Sequence, residues 1–225
     1  MDVLIVGDSF AASDSKIGWV NLLRSKVNSV KCVAEGGSSL FYSYSKLLEE
    51  DLSSYDYVIV LVTQCGRLTF FDKPHINSYL TAEIYKENTH QKIKDRAQAA
   101  IQYYQHLDNE EVNRFLHLSL LKEIRELLKG IPHTLQPGFS KSLIERSHPV
   151  SFWLTDITDK QAELVPEELY TRIHNPKEKL TNHMSPSNNR VLCDYFYDMI
   201  TTGSSNITIQ DFNRLEEPIE QWFTA

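Results

Sequence analysis

The sequence predicts an α/β fold, a parallel sheet covered by helices on both faces. Three observations carry this. Short runs of consecutive apolar, often β-branched residues recur, as in strands buried on both sides. Longer stretches with apolar residues at helical spacing lie between them. The runs end at Gly7-Asp8-Ser9, Gly36-Gly37, Thr63-Gln64, about Gln136-Pro137 and Thr155-Asp156, which a parallel sheet brings to one edge, beyond the carboxyl ends of its strands.

Val3-Leu4-Ile5-Val6 is the first strand and ends at Gly7. Ser13 or Asp14 can cap a helix whose Ile17, Val20, Leu23 and Val27 recur at helical spacing. A second strand over 30–34 runs into Glu35-Gly36-Gly37-Ser38-Ser39, and the helix after it carries Tyr44, Leu47 and Leu48. Tyr57-Val58-Ile59-Val60-Leu61-Val62 is the strongest strand. Residues 63–89, with Pro74, His75 and several aromatics, fit no period and read as an insertion. Residues 90–128 are helical, with Phe115, Leu118, Leu121, Ile124 and Leu128 as an apolar stripe that Lys129-Gly130 ends. Residues 131–135 are a weaker strand, 139–146 a short helix, and Val150-Ser151-Phe152-Trp153-Leu154 a fifth strand. Residues 156–179 are irregular and charged. The last helix follows Ser185, with Pro186 at its first position and Val191, Leu192, Tyr195, Phe196, Met199 and Ile200 on its apolar face. Five strands joined by right-handed crossovers give a three-layer α/β/α sandwich. The expected organisation is one domain over 1–203, with insertions at about 64–90 and 156–180, and a C-terminal extension over 204–225 packed on it.

The 225 residues carry 23 Lys+Arg against 30 Asp+Glu, a net charge of -7. That balance disfavours nucleic acid and anionic membrane surfaces as partners, since both demand clustered Lys and Arg. No run approaches the ~20 apolar residues of a membrane span. The first apolar stretch is too short for a secretory signal and lacks a basic flank, so a cytoplasmic protein beginning at Met1 is expected. Cys32, Cys65 and Cys193 are scattered without C-x-x-C spacing and read as reduced thiols rather than zinc ligands. The acidic residues are dispersed and no glycine-rich phosphate loop is present, so neither a metal nor an organic cofactor is expected. The oligomeric state stays open.

Four pieces could carry chemistry. Ser9, in Gly7-Asp8-Ser9-Phe10, sits where the chain turns from strand to helix, its hydroxyl available to attack a carbonyl. His183, in Asn182-His183-Met184-Ser185-Pro186, lies just before a well-signalled helix and could move the proton. The Gly37 N–H and the Gln64 side-chain amide follow strands two and three and could donate to an oxyanion. Each piece alone has an ordinary explanation as a turn or strand-end residue. Arg67 is placed to bind an anionic group, with a solvated surface arginine as the equal alternative. His75 and His133 are weaker edge candidates.

Together the four pieces resemble the SGNH/GDSL hydrolase superfamily. Gly7-Asp8-Ser9 matches its nucleophile block, Gly37 its second block, and Val62-Thr63-Gln64-Cys65 falls where Gly-x-Asn-Asp is expected. His183 matches the histidine of the C-terminal Asp-x-x-His. The resemblance spans residues 3 to about 200. It implies a flavodoxin-like, five-stranded parallel sheet in 2-1-3-4-5 order. It further implies a serine esterase working through an acyl-enzyme, on a small-molecule or glycan ester such as a carbohydrate O-acetyl group. Ser9 would be the nucleophile and His183 the base, with Ser9, Gly37 and Gln64 forming the oxyanion hole. An O-acetyltransferase, or a catalytically impaired binding protein of the same fold, are the alternatives. Two departures stand out. Gln64 replaces the family asparagine, and Leu180 stands three residues before His183 where aspartate is expected. Asp156, Asp159 or Glu178 are the candidates to replace that carboxylate; Asp8, Arg67 and Asn182 are candidate substrate-binding residues.

Overall fold

A computed structural model describes residues 1–12, 15–69, 75–139, 152–166, 183–214, 218, 219 and 222. Among them, four strands form one parallel sheet: β1 (Asp2–Val6), β2 (Ser29–Cys32), β3 (Tyr57–Val62) and β4 (His133–Pro137), in the order β2-β1-β3-β4. All three pairings are parallel, with Ile5 opposite Cys32 and Ile59, and Val60 opposite Leu135. The helices are α1 (Trp19–Arg24), α2 (Leu40–Leu48), α3 (Tyr79–Tyr85), α4 (Gln91–His106), α5 (Glu110–Leu127), α6 (Leu154–Glu163) and α7 (Pro186–Thr202).

Strand residues alternate between two apolar layers, as the two-residue period of a strand requires. Val3, Ile5, Ile59 and Leu61 face Trp19 and Leu23 of α1, Leu154 and Ile157 of α6, and Leu192 and Phe196 of α7. Leu4, Val6, Val58, Val60 and Leu135 face Leu40 and Leu47 of α2 and Leu121 and Ile124 of α5. The sheet is therefore the middle of three layers. Every residue of β3 is buried, which explains its unbroken apolar sequence. A separate small cluster of Ile76, Ala82, Ala97 and Ala100 joins α3 to α4 beside the end of β3.

The expected fifth strand is corrected. Residues 140–151 lie outside the described residues, and Leu154 begins helix α6 instead. Asp156, three residues beyond Trp153, accepts a hydrogen bond from its backbone N–H at 3.0 Å and so starts the helix. Leu154, Ile157 and Gln161 then recur on one buried face. Phe152 is held beside β4 by a side chain, its carbonyl accepting from Gln136 Nε2 at 3.1 Å. The apolar run is a helix entrance rather than a strand, because its polar starter Asp156 lies just downstream. The irregular stretch expected from 156 begins as this helix, and 167–182 lie outside the described residues.

Three further differences have simple causes. The single helical stretch over 90–128 is two helices, broken at Leu107–Asn109, where the Asn109 side chain accepts from Val112 N at 3.0 Å. The aperiodic 63–89 segment contains α3, started by reciprocal Ser78–Thr81 hydrogen bonds. Helix α1 begins at Trp19, and the expected caps Ser13 and Asp14 lie outside the described residues; the Trp19 N–H is instead satisfied by Asn189 Oδ1 of α7 at 3.0 Å. Helix α7 starts where the sequence places it, with Ser185 Oγ accepting from Asn188 N and Pro186 in its first turn, and it ends at Gly203 in the left-handed conformation. No helix among the described residues is long and apolar enough to cross a membrane.

Candidate active site

The loops that follow β1, β2 and β3 meet at one edge of the sheet. After Val6 the chain bends sharply: the Asp8 carbonyl accepts from both Ala11 N and Ala12 N at 3.0 Å, so Ser9 opens a helical turn and stays half-buried. Gly7 is required at the bend, because a Cβ there would lie 2.6 Å from Leu61 Cβ on β3.

Asp8 is buried, and its carboxylate organises the edge. Oδ1 accepts from Phe10 N at 3.1 Å; Oδ2 accepts from Thr63 Oγ1 at 2.9 Å and from an Arg67 guanidinium nitrogen at 3.1 Å. Arg67 also donates to the Ser38 carbonyl at 3.1 Å and lies over the Phe139 ring at 4.5 Å. Burial pulls its guanidinium below the ordinary value and the Asp8 charge opposes that, but an arginine remains protonated. Asp8 and Arg67, both expected as substrate-binding candidates, thus form a buried ion pair that ties the serine loop to the loops after β2 and β3.

The glycine loop packs against the serine loop. Glu35 N and Ser38 Oγ both donate to the Gly7 carbonyl, at 3.0 and 2.9 Å. A Cβ built on Gly36 would come within 3.9 Å of Ser9 Cβ. Gly37 has φ +77°, a conformation glycine adopts without strain, and its carbonyl accepts from the buried side-chain amide of Asn77. His75 is buried against the same loop, with Nε2 3.9 Å from the Glu35 carboxylate and its ring edge-on to Tyr42. His133 begins β4, with Nδ1 2.7 Å from the Ile131 carbonyl.

His183 approaches from the opposite end of the chain. It is exposed, and its backbone has φ +64°, unusual for a residue with a Cβ. Its ring meets that of Phe10, the residue after Ser9, edge to face at a centroid distance of 5.4 Å. Among the candidate carboxylates, Asp156 accepts from the Trp153 N–H at the start of α6, and Asp159 is exposed further along that helix. Glu178 and Asn182 lie outside the described residues.

Gln64 lies between two cavities at the end of β3. One, of about 320 Å³, has mostly polar residues in its lining, among them Gln64, Arg67, Asn77, Tyr104, Asn113 and Arg114. The other, of about 410 Å³, is largely apolar, with Leu40, Phe41, Leu116 and Leu120 beside Gln64 and Arg67. Neither is lined by Ser9 or His183; Arg67, which lines both, is bound to Asp8 and the Ser38 carbonyl. Burial pushes the Cys65 thiol in the first cavity up, so it is a weak nucleophile near neutrality. Among the described residues, no cluster of three or more His, Cys, Asp or Glu side chains is arranged to hold a metal ion.

Sequence reasoning missed Thr63, Asn77 and Gln161. Thr63 and Asn77 fix Asp8 and Gly37 through contacts across long sequence separations, which leave no local signal. Gln161 had one: it is a polar residue on the apolar face of α6.

No protein-family model matches the sequence, and no curated protein matches it as a relative. A solved structure titled "Crystal Structure of TesA" aligns with 57% of this chain and 98% of its own at 14% identity and a TM-score of 0.23.

Proposed function

We propose that this protein is a serine ester hydrolase of the SGNH type. The observation that supports this most is the convergence on one sheet edge of Ser9 at the opening of a helical turn, the Gly36–Gly37 loop against its side chain, and the His183 ring against Phe10. In this reading Ser9 Oγ attacks the ester carbonyl while His183 accepts its proton. Negative charge gathers on the carbonyl oxygen, where the Ser9 and Gly37 N–H groups and the Gln64 amide serve as donors. The tetrahedral species collapses, His183 returns the proton to the leaving alcohol, and an acyl-serine remains. Water, deprotonated by His183, then releases the acid and regenerates Ser9. Among substrates, an O-acetyl ester of a carbohydrate is the preferred class, on the strength of the resemblance to SGNH hydrolases alone.

One observation favours the binding-protein reading: the Asp156 carboxylate is engaged at its own helix start. A single experiment separates the two. The wild-type protein, Ser9→Ala and His183→Ala are treated with a fluorophosphonate probe and assayed for hydrolysis of p-nitrophenyl acetate and acetylated sugars. Labelling that vanishes in Ser9→Ala and slows in His183→Ala is the expected result. A folded wild-type protein that neither labels nor hydrolyses would leave only binding.

A further inference from the structure

The left-handed backbone of His183 needs something to hold it. A residue with a Cβ in that conformation persists only where its surroundings over-determine it, and such residues concentrate at functional sites. The surroundings here are unusually specific. Gln161, on the buried face of α6, directs its whole side-chain amide into the His183 loop. Its Nε2 donates to the His183 carbonyl at 3.3 Å. Its Oε1 accepts from Ser185 N at 2.7 Å and from Asn188 Nδ2 at 2.9 Å. Asn188 is in turn fixed by Asn213, whose backbone N–H donates to Asn188 Oδ1 at 2.7 Å and whose side-chain oxygen accepts from Asn188 Nδ2 at 2.7 Å. Asn213 also has a positive φ, and its amide donates to the Ile157 carbonyl on α6. Three elements remote in sequence therefore close a polar clamp around one exposed imidazole-bearing residue. A loop needed only to start α7 would not require it, because Ser185 and Pro186 already do that.

We propose that Gln161 is the positioning residue for His183, the clamp setting where the imidazole stands relative to Ser9. This rests on the esterase reading for its catalytic consequence but not for its geometric one. Both halves of the amide are used: the oxygen anchors the start of α7, and the nitrogen pulls the carbonyl of His183 toward α6, which turns the side chain out toward Phe10.

The two halves can be separated. Gln161→Glu keeps an oxygen for Ser185 N and Asn188 Nδ2 and, once ionised, removes the donor to His183. At pH 8 the folded variant is expected to lose about a hundredfold in kcat with KM little changed, the scale of a misplaced catalytic group. The loss should be absent when Gln161→Glu is introduced into His183→Ala, because the effect passes through that histidine. Independently of activity, the Cε1–H NMR signal of His183, assigned from its disappearance in His183→Ala, should move in Gln161→Glu while other histidine signals stay. If the glutamate does not fold, Gln161→Met is read in the same three ways. An unmoved His183 signal, or an equal loss of kcat with and without His183, would overturn the proposal. A wild-type protein inert to the fluorophosphonate probe would overturn the esterase reading alone, and the NMR comparison would still decide the clamp.

Discussion

Replacing Arg67 by methionine is the sharpest test of how the serine loop is held. The substitution keeps most of the aliphatic stem and removes the guanidinium. Asp8, only 1% exposed, then loses its cation and keeps the Phe10 N–H and Thr63 hydroxyl as partners. Breaking a buried pair by deleting one partner costs about 3–5 kcal/mol, because the other charge stays behind. The Ser38 carbonyl also loses a hydrogen bond, worth about 1 kcal/mol. Arg67 borders both cavities and its side chain is 12% exposed, so water can enter the vacated space and soften the penalty. The expected loss is therefore about 3 kcal/mol, near the low end, or a fall of about 6–12 °C in melting temperature for a chain of this size. Urea unfolding followed by tryptophan fluorescence measures it. Asp8→Asn combined with Arg67→Met should recover much of the loss, since both charges are gone. A single-variant cost under about 1 kcal/mol, the worth of a surface pair, would refute the reasoning. So would a double variant whose loss equals the sum of the two singles.

Other outcomes follow from the same geometry. Gly7→Ala sets a Cβ against Leu61 Cβ and should destabilise by about 1–3 kcal/mol in a denaturant titration; Leu61→Ala should not relieve it, because the atom met is the Cβ that alanine retains. His183→Gly should raise the unfolding free energy by about 1 kcal/mol, as the left-handed strain disappears, while probe labelling falls; a glycine variant less stable than wild type would mean the conformation is not strained. Burial pushes the Tyr104 phenol up to about 12, above its unfolded value near 10. The folded protein therefore keeps a proton that the unfolded chain releases, and stability should hold below pH 10 and fall as pH rises from there toward 12. Urea midpoints across this range should fall less steeply in Tyr104→Phe.

The sheet edge was legible because strand and loop chemistry are local. Val3 to Val6 and Tyr57 to Val62 announce themselves as doubly buried strands, Ser185 and Pro186 as a helix start, and all three sit where expected. Phe152 to Leu154 misled because a bulky apolar run looks alike in a strand and at the entrance of a helix; only the Asp156–Trp153 hydrogen bond decides between them. The ties within the site were beyond sequence reasoning for a different reason. Thr63 to Asp8, Asn77 to Gly37, and Gln161 to His183 each join residues 22 to 55 positions apart, and polar pairing at that range has no periodicity. Arg67 shows the limit from the other side: its position near the edge was readable, but its commitment to Asp8 required the fold.

The hydrogen bond from the Trp19 N–H to Asn189 Oδ1 joins residues 170 positions apart. A six-residue helix has too few internal bonds to stand alone, so the first helix of the chain waits for the last. On a ribosome, the segment bearing Ser9 would emerge long before its neighbour from the far end of the message. The Trp19 indole, which donates to the Phe10 carbonyl, would find its setting only then. On the proposed esterase reading, Ser9 and His183 would come into register together, and a nascent or prematurely ended chain would carry the serine without its partner. Trp19 fluorescence during refolding, compared with the onset of probe labelling, would report that moment of assembly.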